Sequence, residues 1–117
     1  MTPAEFKTVR ESLGLSAQWL ATHWSVSLRS IRNWEDGTSP IPPNISAELT
    51  AIEDYVDDAA ERMIEAIESV PQNPQDLAIY EVPRVDADSP DIYPASLHRA
   101  IGARIRSALP EVTLEYR

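Results

Sequence analysis

Arginine and carboxamide side chains, which are well suited to contacting nucleic acid, cluster in one short segment of the sequence. Arg29, Arg32 and Asn33 fall on the outward face of a helix predicted from Ser27 to about Glu35, with Leu28 beside them. A guanidinium can donate to guanine O6 and N7, and a carboxamide can pair with adenine N6 and N7. The alternative interpretation is an ordinary solvated helix face. The pattern around this face favours nucleic acid, because it predicts two helices and a turn.

Two short helices joined by a tight turn are predicted from Leu15 to Gly37. Ser16 and Ser27 are each placed to cap one helix, because a serine hydroxyl accepts a hydrogen bond from an amide of the first turn. Gly37 follows the second helix, where a glycine commonly ends a helix. The residues expected to close the core between the helices are Leu20, Ala21, Trp24, Val26, Ile31 and Trp34. The segment therefore predicts a helix-turn-helix.

Residues 5–56 resemble the helix-turn-helix of the lambda repressor and Cro type, the Xre family. The resemblance rests on combined spacing, carried by Arg10, Gly14, Leu15, Ser16, Leu20, Ala21, Val26, Ser27, Ile31, Trp34, Glu35 and Gly37. More loosely, the chain length, the short tail and the Trp-Glu-x-Gly-x-x-x-x-Pro run from Trp34 to Pro42 look like small repressors found beside anti-CRISPR genes.

The sequence departs from the Xre pattern at three places. Ala17 stands where a glutamine often begins the second helix. Ser25 replaces the usual glycine of the turn, and the loop after Gly37 has no lysine or arginine. Fewer basic side chains than usual are therefore available to hold a DNA backbone.

The resemblance implies two sets of DNA contacts on the predicted helix-turn-helix. The side chains expected at base edges are Leu28, Arg29 and Asn33. Contacts to the DNA backbone would come from main-chain amides and from Ser16, Gln18, Ser27, Arg32 and Thr38. Backbone contacts position a protein on DNA, whereas base contacts specify the sequence.

Arg10 lies on the apolar stripe of a first helix predicted over residues 2–13. Arginine is rarely buried without a partner. The resemblance implies that Arg10 pairs with Glu35, which would clamp the first helix to the end of the recognition helix. The alternative is an arginine that extends to solvent and contacts nothing specific. Trp19 falls at a usually exposed position, where it either packs on a neighbouring helix or forms a partner surface.

A long helix is predicted from about residue 44 to residue 69, after a proline-rich loop at 38–43. Its apolar residues recur with heptad-like spacing at Ile45, Leu49, Ile52, Val56, Ala59, Met63, Ala66 and Val70. The first half is expected to cover the helix-turn-helix core. Beyond Val56 the seam needs another partner, either the tail of the same chain or the same helix of a second subunit.

The tail, residues 71–117, is predicted to form a small strand-helix-strand unit. Residues 71–76 have a linker composition, and strands are predicted at 77–82 and 112–116, with a helix at 95–109 that follows an acidic loop. Two strands make a poor sheet alone, so pairing with a second copy is expected. The residues predicted to form a dimer interface are Val56, Met63, Ile67, Val70, Ile79 and Leu114.

These elements predict a mostly α fold in two parts. Residues 1–70 would form a lambda-repressor-like helix-turn-helix domain of four or five helices, with a long fourth helix. Residues 71–117 would form a C-terminal β-α-β dimerisation region.

Charge is the main objection to a DNA ligand, because the net charge of the 117-residue chain is −9. Its distribution weakens that objection. Four basic and four acidic side chains cancel in residues 1–42, whereas residues 43–70 carry eight acidic side chains and one arginine. The negative charge is therefore expected on the long helix and not on the helix-turn-helix.

Catalysis, metal binding and membrane insertion are not expected from this sequence. It has no cysteine, and its two histidines, His23 and His98, lack metal-ligand spacing. We therefore expect no enzyme activity, no cofactor and no metal site. The amino terminus is charged and no window approaches the length of a membrane span, which predicts a cytoplasmic protein without membrane contact.

Two functional hypotheses follow. The first is a homodimeric regulator of transcription, a repressor that binds a palindromic operator in double-stranded DNA. The second is a protein-interaction module of the antitoxin or antirepressor type, which keeps the fold but binds a protein through its acidic helix.

Overall fold

The computed structural model describes residues 1–70 and 78–117. It is mostly helical, with a small two-stranded parallel sheet near the C-terminus, which confirms the predicted fold class. The chain divides into two compact units, Met1–Asp54 and Tyr55–Arg117. The division falls within the long helix, earlier than the boundary expected between residues 70 and 71. The predicted linker at 71–76 and the first residue of the predicted strand at 77–82 lie outside the described residues.

Three short helices and the start of a fourth form the N-terminal unit. Helix α1 spans Pro3–Ser12, α2 spans Ala17–His23 and α3 spans Leu28–Asp36. A capping box begins α1, since the Thr2 hydroxyl accepts from the Glu5 amide at 3.0 Å and the Glu5 carboxylate accepts from the Thr2 amide at 2.9 Å.

Aromatic rings from different elements meet in the core of this unit. The buried ring of Phe6 lies 6.3 Å from the ring of Trp24 and 6.2 Å from the ring of Trp34, measured between centroids. Of the core residues predicted for the two short helices, Trp24 and Val26 are only half-buried. The others are buried: Leu20, Ala21, Ile31 and Trp34.

Helix α4 spans Pro43–Ser69. It begins one residue earlier than predicted, because proline is well tolerated in the first helical turn. Its buried residues are Ile45, Leu49, Ile52, Val56 and Ala60. The burial follows the predicted seam to Val56 and then moves from Ala59 to Ala60, because a helix of 3.6 residues per turn drifts away from a strict heptad repeat.

The C-terminal unit contains the predicted strand-helix-strand arrangement. Strand β1 spans Ile79–Val82, helix α5 spans Ala95–Ala108 and strand β2 spans Thr113–Tyr116. The strands are parallel, with Ile79 opposite Thr113 and Val82 opposite Tyr116. Gly102 lets α5 approach the sheet closely, since a methyl group there would lie 2.9 Å from Val82 Cγ1.

Asp91 organises the acidic loop before α5. Its Oδ1 lies 2.9 Å from His98 Nε2 and accepts from the Tyr93 amide at 2.9 Å, while its Oδ2 accepts from the Tyr55 hydroxyl at 3.1 Å. Partial burial alone would raise the pKa of Asp91, but the hydrogen bonds from His98 and the Tyr93 amide outweigh it and leave the pKa below its ordinary value. The carboxylate thus joins the loop to both α4 and α5.

The tail of the same chain contacts α4 just beyond Asp54 through polar side chains. Besides the Tyr55–Asp91 bond, Arg104 Nε on α5 lies 3.0 Å from Asp57 Oδ1 on α4. Val56 was predicted as a dimer contact, but it is fully buried within the chain and is therefore a core residue. Among the other predicted dimer residues, Met63, Ile67 and Leu114 are half-buried, whereas Val70 and Ile79 are exposed.

Candidate nucleic-acid interface

Serine caps set the starting points of the two helices that form the candidate interface. The Ser16 hydroxyl accepts from the Trp19 amide at 3.0 Å and starts α2, and the Ser27 hydroxyl accepts from the Ser30 amide at 3.0 Å and starts α3. Gly37 ends α3 with φ of 84°, in the left-handed region that favours glycine. Short-range side-chain chemistry therefore determines both helix starts and the end of α3.

The turn between α2 and α3 places a serine in a strained conformation. Ser25 has φ of 54°, and among the described residues it is the one position other than glycine with positive φ. The Val26 amide donates to the Ala21 carbonyl oxygen at 2.9 Å and closes the turn. Ser25 occupies the position where the Xre pattern usually has glycine. A serine is strained at this positive φ, whereas a glycine would not be.

We expect Ser25→Gly to stabilise the N-terminal unit by roughly 0.5–1 kcal/mol. Relief of left-handed strain contributes about 1–2 kcal/mol, and the greater freedom of glycine in the unfolded chain offsets part of it. Denaturant unfolding followed by tryptophan fluorescence measures the change. Ser25→Ala is the matched control, because it removes the hydroxyl but keeps Cβ, and it should not stabilise. A loss of stability in Ser25→Gly would contradict the strain assignment.

Helix α3 presents two arginines to solvent. Ile31 and Trp34 point into the core, whereas Arg29 and Arg32 are exposed. Neither guanidinium forms an ion pair with an acidic side chain in the described part of the chain. The remaining predicted base-contacting residues, Leu28 and Asn33, are half-buried at the edges of this face.

The residues predicted to contact the DNA backbone are all exposed: Ser16, Gln18, Ser27, Arg32 and Thr38. Several of their polar groups already have partners. Gln18 Nε2 donates to the Thr22 hydroxyl at 3.3 Å, and the Thr38 amide donates to Asp36 Oδ1 at 2.9 Å. Hydrogen bonds from Thr38 hold the pKa of Asp36 below its ordinary value, so this carboxylate stays charged.

Arg10 and Glu35 are in direct contact and clamp three parts of the N-terminal unit together. Arg10 Nε donates to Glu35 Oε1 and Nη2 donates to Oε2 at 3.3 Å. Nη1 donates to the Leu15 carbonyl oxygen at 3.0 Å, in the turn between α1 and α2. The two side chains are only 12% and 10% exposed. This forked geometry holds the last turn of α3 against α1, and with it the exposed face of α3.

Trp19 packs on its own helix. Its ring stacks on His23, one turn further along α2, with centroids 4.6 Å apart and planes at 19°. His23 had no predicted role beside Trp19, although a spacing of four residues places two side chains on one helix face. Trp24, a predicted core residue, has a buried Nε1 with no hydrogen-bond acceptor among the described residues, which the sequence did not predict.

Two capped helices, the turn between them and the exposed arginines of the second define a helix-turn-helix protein. The sequence profile of the Aca2/YdiL-like family matches residues 1–82. The match exceeds half of the chain, and the protein belongs to this family of helix-turn-helix regulators associated with anti-CRISPR genes. The matched region contains α1 to α4 and β1, whereas α5 and β2 lie beyond it. No curated protein matches the chain.

No helix within residues 1–70 or 78–117 is both long and apolar enough to cross a membrane.

Proposed function

We propose that this protein is a sequence-specific transcriptional regulator of the Xre type, a repressor that binds a palindromic operator in double-stranded DNA as a homodimer. The observation that carries the proposal is the pair of exposed arginines on α3, neither of which is paired with an acid of the described chain. Helix α3 would enter a major groove, where its N-terminal residues meet base edges. The protein acts by occupying DNA and performs no catalysis.

Two features support DNA as the ligand despite the net negative charge. The Arg10–Glu35 pair neutralises itself, so the exposed charges of α3 are those of Arg29, Arg32 and Asp36, which leave a net positive charge. The excess acid of residues 43–70 lies on α4. Such a distribution lowers affinity for random DNA more than affinity for a site with specific base contacts.

Binding to the DNA upstream of the protein's own gene tests the proposal. Fluorescence anisotropy should show binding at least about 1,000-fold tighter than binding to a scrambled duplex of equal length, the lower end for specific DNA-binding proteins. Equal affinity for both duplexes would contradict sequence-specific binding. Footprinting should then protect two half-sites related by a two-fold axis.

The alternative is a protein-interaction module of the antitoxin or antirepressor type. The observation that favours it is the acidic character of α4, because residues 43–70 carry eight acidic side chains and only one arginine. This hypothesis predicts no preference between the two duplexes in the anisotropy experiment.

We expect Ile79→Lys to weaken the proposed homodimer by about tenfold or more. Ile79 is 57% exposed on β1, and placing a charge in an apolar interface costs well over 1 kcal/mol. Sedimentation velocity over a concentration series measures the dissociation constant. Ile92→Lys is the matched control, since Ile92 is 71% exposed in the loop before α5 and is outside the predicted interface. If both substitutions change the dissociation constant equally, Ile79 does not lie in the dimer interface.

A further inference from the structure

A groove lies in the C-terminal unit, between α5 and the carboxyl ends of the two parallel strands. Its volume is about 550 Å³, and its lining residues are Val82, Arg84, Arg99, Leu114, Glu115 and Tyr116. Small-molecule sites in proteins commonly have volumes of this order. In open parallel sheets, ligands bind beyond the carboxyl ends of the strands. The position and size of this groove therefore suit a small ligand.

The groove has an apolar floor and an aromatic wall. Val82 is buried and Leu114 is half-buried on the sheet face that α5 covers. The ring of Tyr116 is 55% exposed at the rim. Glu115 is the one acidic residue among the described residues that line the groove. Side chains alternate along a strand, so Glu115 is on the face of β2 opposite Leu114 and Tyr116, and the floor of the groove is apolar.

Two arginines supply positive charge at the rim. The Arg84 guanidinium carbon lies 4.5 Å from the centre of the Tyr116 ring. Arg99 Nη1 donates to the carbonyl oxygens of Pro83 at 3.0 Å and Arg84 at 2.9 Å. No acidic side chain of the described residues forms an ion pair with either arginine. In a chain with 19 acidic residues, such uncompensated guanidiniums beside an apolar groove need a separate explanation.

The geometry of Arg99 is suited to holding an anion. Its two bonds to main-chain oxygens use one nitrogen and restrain the guanidinium of this half-buried residue. The other nitrogens, Nε and Nη2, have no acceptor among the described residues. A guanidinium that is already oriented loses little freedom when it forms a forked pair with an oxyanion. The Arg84 guanidinium lies over the Tyr116 ring, and no acidic side chain of the described residues pairs with it, so it is available to the same ligand.

We propose that this groove binds a small molecule that joins a flat apolar ring to an oxyanion. The ring would rest on Val82 and Leu114 beside Tyr116, and the oxyanion would accept hydrogen bonds from Arg84 and Arg99. This site is independent of the proposed DNA contacts on α3.

Calorimetric titration of the full chain with phenyl phosphate tests the site, with inorganic phosphate and phenol as separate probes of its two halves. Phenyl phosphate should bind at least about tenfold tighter than either probe, because ring burial and a charge-assisted hydrogen bond are each sufficient for roughly that factor. Arg84→Gln and Tyr116→Leu should each weaken phenyl phosphate about tenfold. Both residues are exposed, and unchanged circular dichroism would show that the variants fold.

Arg106→Gln is the matched control, because Arg106 is an exposed arginine of α5 outside the groove. Its affinity for phenyl phosphate should equal that of the wild type. If Arg106→Gln and Arg84→Gln lower the affinity for phenyl phosphate equally, the proposal is overturned, because binding would then depend only on the net charge of the protein. The proposal would also be overturned if the wild-type protein does not bind phenyl phosphate. The same holds if Arg84→Gln leaves the affinity for phenyl phosphate unchanged and instead dissociates the dimer or weakens DNA binding.

Discussion

Glu35→Gln is expected to lower the free energy of unfolding by about 3 kcal/mol, the largest stability effect among the substitutions considered. The variant keeps the shape of the side chain but leaves the Arg10 guanidinium without a counter-charge at a site where both side chains are about one-tenth exposed. Removing one partner of a buried ion pair typically costs about 3–5 kcal/mol. The lower end applies because a glutamine still accepts one hydrogen bond from Arg10 and because water reaches the pair in part.

Chemical denaturation at neutral pH measures this loss, with Glu11→Gln as the control. Glu11 is exposed on α1, in the same unit, and its neutralisation should change stability by less than about 0.5 kcal/mol. The double variant Arg10→Gln/Glu35→Gln should be less destabilised than the sum of the two single variants, because the second substitution removes the uncompensated charge that the first leaves. A Glu35→Gln midpoint equal to that of the wild type would show that the pair contributes nothing to stability.

Arg29→Ala and Arg32→Ala are expected to impair DNA binding in different ways. Arg29 is the second residue of α3, and in this docking geometry the N-terminal residues of the recognition helix meet base edges. Losing a forked base contact should cost about 1–3 kcal/mol on the operator and relax the preference at one base pair of each half-site. Arg32 lies nearly one turn further along the helix, where a phosphate is the nearer target. Its loss should weaken binding to all sequences alike.

Affinities for operator and scrambled duplexes at several salt concentrations separate the two roles. For Arg29→Ala the ratio of the two affinities should fall by roughly 10- to 100-fold. For Arg32→Ala the ratio should stay constant, and the salt dependence should flatten by about one unit of slope per subunit. Lys7→Ala is the control, since it removes one exposed positive charge of the same unit outside α3. An affinity ratio that Arg29→Ala leaves unchanged would show that Arg29 does not contact bases.

Local chemistry along the chain was sufficient to predict most of the secondary structure. The caps Thr2, Ser16 and Ser27 act on amides within three residues of themselves, so their effect does not depend on the rest of the fold. The same holds for Gly37 after α3. The two strands and the helix between them were also predictable, because their apolar periodicities are regular and turn residues separate them. Burial of Ile31 and Trp34 with exposure of Arg29 and Arg32 follows from helical spacing alone.

Contacts between residues far apart in the chain were decided by the tertiary structure. The sequence left two partners open for the seam beyond Val56. Only the tertiary structure showed that the tail contacts α4 next to Val56, through Tyr55 with Asp91 and Asp57 with Arg104, while Ala66 and Val70 stay exposed. Seam spacing reports that a helix face is apolar, and it carries no information on which surface covers that face. The groove with Arg84 and Arg99 was equally inaccessible to sequence reasoning, because it exists only where α5 crosses the ends of two strands that are far apart in the chain.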